Sequence, residues 1–279
     1  MLVGFEEGYA EVNGVRLHYV SGGTGEPLLL LPGWPLTWWE FHKVMPLLAE
    51  RYRVIAVDLR GMGDSGKPET GYDKKTMARD VAELVRKLGY ESVNIAGTDI
   101  GAMVAFSFAA NHPDLTRKLA MIEVPHPDTF FYQFTVLPQA GQPHLWWFAF
   151  NQVKELPERL LAGRARLLID WCVDQMARDR DAIDEQSRAV YAAAYDQPGA
   201  IRAANGWYQA FPQDIEDMQT YGALSVPVLA LGSLYYQAMP LALAGKATDI
   251  RFLEIPDAGH YLAEERPDDL VRALTEFLG

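Results

Sequence analysis

The chain reads as an α/β fold: a mostly parallel central sheet flanked by helices, with an inserted helical cap. Two observations predict this. Short, almost wholly apolar runs alternate with helical patterns as far as residue 124 and again from residue 225, and runs apolar on both faces suit buried strands of a parallel sheet. Between the two stretches lies a helix-rich segment, in which residues 125–215 hold 14 of the 32 aromatic side chains. An aromatic lid of that kind suits an apolar pocket, although any one of these rings would serve an ordinary helical core equally well.

Taken in order, the expected strands of the first stretch are residues 27–31, 53–58, 92–96 and 118–123, and those of the second are 227–231 and 250–255. Met77, Val81, Leu84, Val85 and Leu88 repeat at helical spacing, and Gly89 follows as a C-terminal cap. The nearly all-apolar run 102–110 reads as a buried helix, and Leu270, Leu274, Phe277 and Leu278 stripe a C-terminal one. The expected division is a core of residues 1–124 and 216–279 and a cap of 125–215. There is no internal repeat or low-complexity tract.

Composition narrows the function. A chain of 279 residues with 49% hydrophobic side chains can bury a full core without a partner. Its formal charge of −12 and the absence of long Lys or Arg runs argue against nucleic acid and anionic membranes. Cys172 is the one cysteine, so an intramolecular disulfide and a cysteine-based metal site are excluded, which suits a reducing cytoplasm. The start, MLVGFEEGYAEVNG, lacks the basic and apolar regions of a signal peptide, and no apolar stretch reaches membrane-spanning length. With no metal-ligand cluster and no phosphate-binding loop, no metal, nucleotide or flavin cofactor is expected. The expected partner is a small-molecule substrate, and a homodimer remains open.

After the third of these strands comes Gly97-Thr98-Asp99-Ile100-Gly101, followed at once by the apolar helix. A small-x-nucleophile-x-small sequence on a strand-turn-helix is a nucleophile elbow: the sharp turn lifts the central side chain above the sheet, and glycines at its flanks let strand and helix approach. The central residue here is aspartate, whose ionised form the helix N-terminus favours. In isolation Gly-x-Asp-x-Gly is a weak pattern; its place between strand and helix gives it weight.

These residues resemble the α/β-hydrolase superfamily over almost the whole chain. The run Asp58-Leu59-Arg60-Gly61-Met62-Gly63-Asp64-Ser65 resembles the loop after the superfamily's fourth strand. Pro32-Gly33-Trp34-Pro35 resembles the His-Gly-x-Pro turn of epoxide hydrolases and some dehalogenases, with Pro32 in place of His. Thr98 likewise replaces the His that commonly precedes the nucleophile. The resemblance implies an oxyanion hole made by the backbone N–H groups of Trp34 and Ile100, so neither departure removes a donor. It places a general base after the last strand, where Ile255-Pro256-Asp257-Ala258-Gly259-His260-Tyr261 supplies His260. The other histidines have structural readings: His18 in an early strand, His42 in the first helix, His112 at a helix end, and His126 and His144 in the cap. The orienting acid is absent from its familiar place, because residues 223–248 contain no Asp or Glu. Glu123, at the C-terminal edge of the sheet, resembles the relocated acid of some epoxide hydrolases and dehalogenases; it would hold the His260 tautomer and stabilise its cation. A buried ion-pair role for Glu123 is the alternative.

A carboxylate attacking a carbonyl would give an anhydride, whereas displacement at an sp³ carbon gives an alkyl ester that activated water can hydrolyse. Epoxides and alkyl halides both meet that demand. An opening epoxide needs a proton on its oxygen, and a departing halide needs only a polarising cradle. Trp146, Trp147 and Tyr208 in the cap resemble the positions from which epoxide hydrolases address the ring oxygen; Tyr208 can release a proton and an indole cannot, and Trp146 can equally well only pack. Haloalkane dehalogenases place Trp directly after the nucleophile, and fluoroacetate dehalogenases place Arg there and again three residues on. Ile100 and Met103 occupy those positions here. The expected activity is therefore epoxide hydrolysis; the Trp146-Trp147 pair, Tyr208 and the aromatic cap resemble actinobacterial-type epoxide hydrolases that process aromatic polyketides, which implies a bulky or aromatic apolar substrate. Dehalogenation by the same Asp99 is the alternative, and a catalytically inactive binding protein on this scaffold is the third reading.

Overall fold

A computed structural model describes residues 2–135, 137 and 144–279. Eight strands form one sheet in the order β1-β2-β4-β3-β5-β6-β7-β8. They are β1 (Phe5–Val12), β2 (Val15–Gly22), β3 (Glu26–Leu31), β4 (Tyr52–Asp58), β5 (Val93–Thr98), β6 (Thr116–Ile122), β7 (Val228–Gly232) and β8 (Ile250–Glu254). From β4 to β8 every neighbouring pair is parallel, whereas β1 and β2 join antiparallel. Of the β1–β2 hairpin, the sequence points only to an early strand at His18, which β2 contains, and β1 stands outside the expected strands. The hairpin turns on Asn13-Gly14, both at positive φ, in the two-residue loop that matches strand twist.

The apolar runs behave as two-sided strands. Leu29 and Leu31 pack into one core and Leu28 and Leu30 into another on the opposite face. Helices α2 (Lys74–Lys87) and α3 (Ile100–Asn111) cover the first face, and α1 (Met45–Leu48) and α12 (Pro267–Leu278) the second. Strand β8 differs from expectation: as an edge strand it leaves Arg251, Leu253 and Glu254 exposed. Asp73 caps α2 by accepting from Thr76 N–H at 2.8 Å. At its other end Gly89, at φ 84°, donates to Arg86 O while Tyr90 donates to Val85 O, the double bond pattern that stops a helix.

Between β6 and β7 the chain leaves the sheet to build the cap from α4 (Trp146–Phe150), α5 (Leu156–Leu161), α6 (Ala165–Met176), α7 (Glu185–Tyr195), α8 (Ala200–Gln209) and α9 (Phe211–Met218). After β7 come α10 (Met239–Ala242), β8 and α11 (Leu262–Glu265). Strands β4 and β5 flank β3 on opposite sides. The chain therefore changes direction across the sheet at the carboxyl end of β3, where ligand sites of such sheets form. Among the described residues no helix is long and apolar enough to cross a membrane, and no group of three His, Cys, Asp or Glu is placed to hold a metal.

Candidate active site

Asp99 sits between β5 and α3 at φ 50° and ψ −121°, a backbone region that costs a non-glycine residue about 1–3 kcal/mol. Close packing around the turn holds it there. A Cβ on Gly97 would lie 2.2 Å from Gly101 O, and one on Gly101 would lie 2.1 Å from Leu31 O. Both positions must therefore be glycine for strand, helix and β3 to meet as they do. The result is a carboxylate raised into a cavity over the carboxyl end of the sheet.

The loop after β3 presses on the same residue. A Cβ on Gly33 would come within 2.6 Å of Asp99 Cβ. Trp34 N–H donates to Asp99 Oδ1 at 3.0 Å. Ile100 opens α3, so its N–H belongs to the helix start beside Asp99, while its side chain is fully buried and stays out of the cavity wall.

His260 comes from the loop between β8 and α11, and its backbone N–H donates to Met176 O at the end of cap helix α6. Gly259 makes that crossing possible, since a Cβ there would meet Met176 O at 2.1 Å. His260 Nε2 stands 3.6 Å from Asp99 Oδ2 and Nδ1 stands 3.4 Å from Glu123 Oε2. Burial works against the imidazolium, but hydrogen bonds and charge from Asp99 and Glu123 outweigh it and push the pKa up to about 10. In the resting site the ring is thus a cation held between two carboxylates.

Glu123 follows β6 directly instead of ending it, at φ 73° and with no exposed surface. Its Oε1 accepts from Ser233 N–H and its Oε2 from Tyr235 N–H at 3.2 Å. The loop after β7, which contains no carboxylate, thus supplies the two backbone donors that hold the carboxylate of β6.

A cavity of about 620 Å³ opens over these groups, with Trp34, Asp99, Met103, Trp147, Tyr208 and His260 in its wall. Trp147 stacks on Trp34 at 6.3 Å between centroids, and Tyr208 meets Trp34 edge-on at 5.4 Å. The two cap residues therefore face the loop after β3 that donates to Asp99. Burial, and after it the charge of Asp99, raise the Tyr208 pKa well above its ordinary value, keeping its proton in place. Trp146 lies outside the cavity wall and packs edge-on against Trp171 at 5.0 Å and against Trp147. Of the histidines, His260 is the one in the wall among the described residues. Sequence reasoning missed Tyr235, whose ring meets His260 at 5.5 Å and lines the cavity. It also missed the Lys246–Asp128 ion pair in the wall, at 2.7 Å. No motif marks either feature.

A buried elbow, a loop donor and a histidine backed by an acid at the carboxyl edge of a mostly parallel sheet define a class of protein. The chain belongs to the α/β-hydrolase fold family, whose model matches residues 26–267. It is 34% identical to the soluble epoxide hydrolase of Corynebacterium sp. (strain C12), over 96% of this chain and 95% of that one. It is 30% identical to the fluoroacetate dehalogenase of Burkholderia sp., over 100% of this chain and 95% of that one. Among solved structures, Cfl2 of Burkholderia cenocepacia superposes with a TM-score of 0.93 at 33% identity, covering 99% of this chain and 96% of that one.

Proposed function

We propose that the protein hydrolyses an epoxide to a vicinal diol through an alkyl ester on Asp99. The observation that carries this reading is the cluster of Asp99, Trp34 N–H and His260 beneath Trp147 and Tyr208 in one apolar cavity, with Glu123 buried behind His260. Asp99 attacks a ring carbon and the C–O bond breaks; the Tyr208 hydroxyl protonates the leaving oxygen while Trp147 N–H hydrogen-bonds to it. The His260 imidazolium then gives up its proton, which restores the Tyr208 hydroxyl; the neutral ring takes a proton from water, and the hydroxide adds to the ester carbonyl. The Trp34 and Ile100 N–H groups hold the oxyanion until the diol leaves and the carboxylate is restored. The proton that His260 takes from water replaces the one that restored Tyr208, so both groups end the cycle as they began. Esterification itself readies the base, because it neutralises one of the two carboxylates that hold the imidazolium.

The dehalogenase relative makes halide displacement the competing reading. Against a haloacid, Ile100 and Met103 offer no cation beside the nucleophile, and the cavity's Lys246 is already paired with Asp128. The aromatic wall favours a bulky or aromatic apolar epoxide, the size class to which polycyclic polyketides belong. Single turnover in ¹⁸O-water tests the route: the first diol should carry the old oxygen of Asp99, and the label should appear in the Asp99 carboxylate. Label in the first diol would mean direct attack by water.

A further inference from the structure

Glu40 is a carboxyl group that the proposed chemistry does not use. It lies in the 3-10 turn Trp38–Phe41, with no exposed surface. Its Oε2 accepts from Gly33 N–H at 2.9 Å, whereas its Oε1 is buried without a partner. Gly33 is the residue packed against Asp99 Cβ, and the next N–H along the chain, that of Trp34, is the one aimed at Asp99 Oδ1. The loop is closed on the other side by Leu36 N–H donating to Gly33 O at 2.9 Å. Glu40 thus holds the one polar handle on the far side of the peptide that precedes the oxyanion donor.

We propose that Glu40 is a positioning residue for the oxyanion hole: by accepting Gly33 N–H it fixes the plane of the loop and keeps Trp34 N–H directed at the reacting carboxyl of Asp99. This rests on Asp99 being the nucleophile. Burial pushes the Glu40 pKa up to about 8, against the pull of the Gly33 N–H and the His260 charge, with Glu264 and Asp99 adding to the rise. At neutral pH the group is therefore mostly the uncharged acid. A neutral acceptor suits the place, since a second anion beside Asp99 would oppose the negative charge that develops on the ester oxygen.

The test compares Glu40→Gln, which keeps an acceptor oxygen, with Glu40→Met, of the same length but without one. Gln should stay within about threefold of the parent, whereas Met should slow both ester formation and ester hydrolysis about tenfold, the effect of losing one ordinary oriented hydrogen bond. KM should move by less than about twofold, since the loop's aromatic wall is retained. Amide exchange gives a readout that needs no substrate: Gly33 and Trp34 N–H should be protected in the parent and in Glu40→Gln, and should exchange faster than the rest of the core in Glu40→Met. Equal rates in all three folded proteins would overturn the proposal while leaving Asp99 adduct formation intact. Should Glu40→Met not fold, fast exchange of Gly33 and Trp34 in the parent or in Glu40→Gln would overturn it just as well, and protection in both would support it. Loss of the Asp99 adduct in the parent would instead strike the proposed function.

Discussion

Replacing Glu123 with Gln removes one charge and one acceptor from a carboxyl that serves three donors, Ser233 N–H, Tyr235 N–H and the His260 ring. The amide oxygen can satisfy the two backbone groups only in part, and the amide NH₂ must face either a backbone donor or Nδ1. A hydrogen bond to a charged group is worth about 1.5–3 kcal/mol, so losing the one to His260 should slow ester hydrolysis about 10- to 150-fold. Ester formation needs no base and should fall by much less. Stability should also drop, by about 1–3 kcal/mol if one buried N–H loses its acceptor. Rapid-quench single turnover, which counts ester and diol separately, reads both steps on the folded fraction. Normal rates at both steps alongside a lowered melting temperature would make Glu123 a structural ion-pair member and remove it from the catalytic account.

Other perturbations report on other parts of the site. Tyr208→Phe should slow ring opening at least tenfold with little change in KM, and Trp147→Phe should do so more mildly; unchanged ester formation in both would place the leaving-group donors elsewhere. Gly101→Ala puts a Cβ 2.1 Å from Leu31 O and should cost more than about 1–3 kcal/mol in chemical denaturation, since β3 and α3 must separate; a neutral effect would contradict the close packing of the elbow. The His260 pKa, raised from 6.5 to about 10, contributes stability that is present below pH 6.5 and lost as pH rises through 10. Stability curves should show that loss in the parent and not in His260→Gln. Once Asp99 is an ester, the imidazolium should give up its proton at a lower pH than in the free enzyme, which the pH profile of ester hydrolysis would reveal.

The parts of the site that sequence discloses are those whose local backbone demands particular residues. Gly97 and Gly101 are legible because nothing larger fits, and Asp99 because it lies between them. Glu123 stands out because residues 223–248 hold no carboxylate, but its two backbone donors were hidden, since a backbone N–H leaves no mark on composition. Trp146 and Trp147 look alike in sequence. Both touch Trp171, and only the fold shows that Trp147 reaches the cavity wall while Trp146 packs outside it. The β1–β2 hairpin carried an Asn13-Gly14 signal, yet its strands mix charged and polar residues with apolar ones in place of a continuous apolar run. Tyr235 and the Lys246–Asp128 pair depend on long-range loop placement, which no local period encodes.

The central claim is that Asp99 forms an ester with an epoxide carbon and that His260 is needed to remove it. His260→Gln incubated with aryl and polycyclic epoxides, haloalkanes and haloacids, and then weighed intact and after digestion, tests both halves at once. The account predicts an adduct with the whole mass of an epoxide, because ring opening expels no atoms, on the peptide that contains Asp99. An adduct formed only from halides, lighter than its substrate by the leaving group, would make the protein a dehalogenase. The absence of any adduct in the folded variant would contradict covalent catalysis by Asp99 and favour a binding protein.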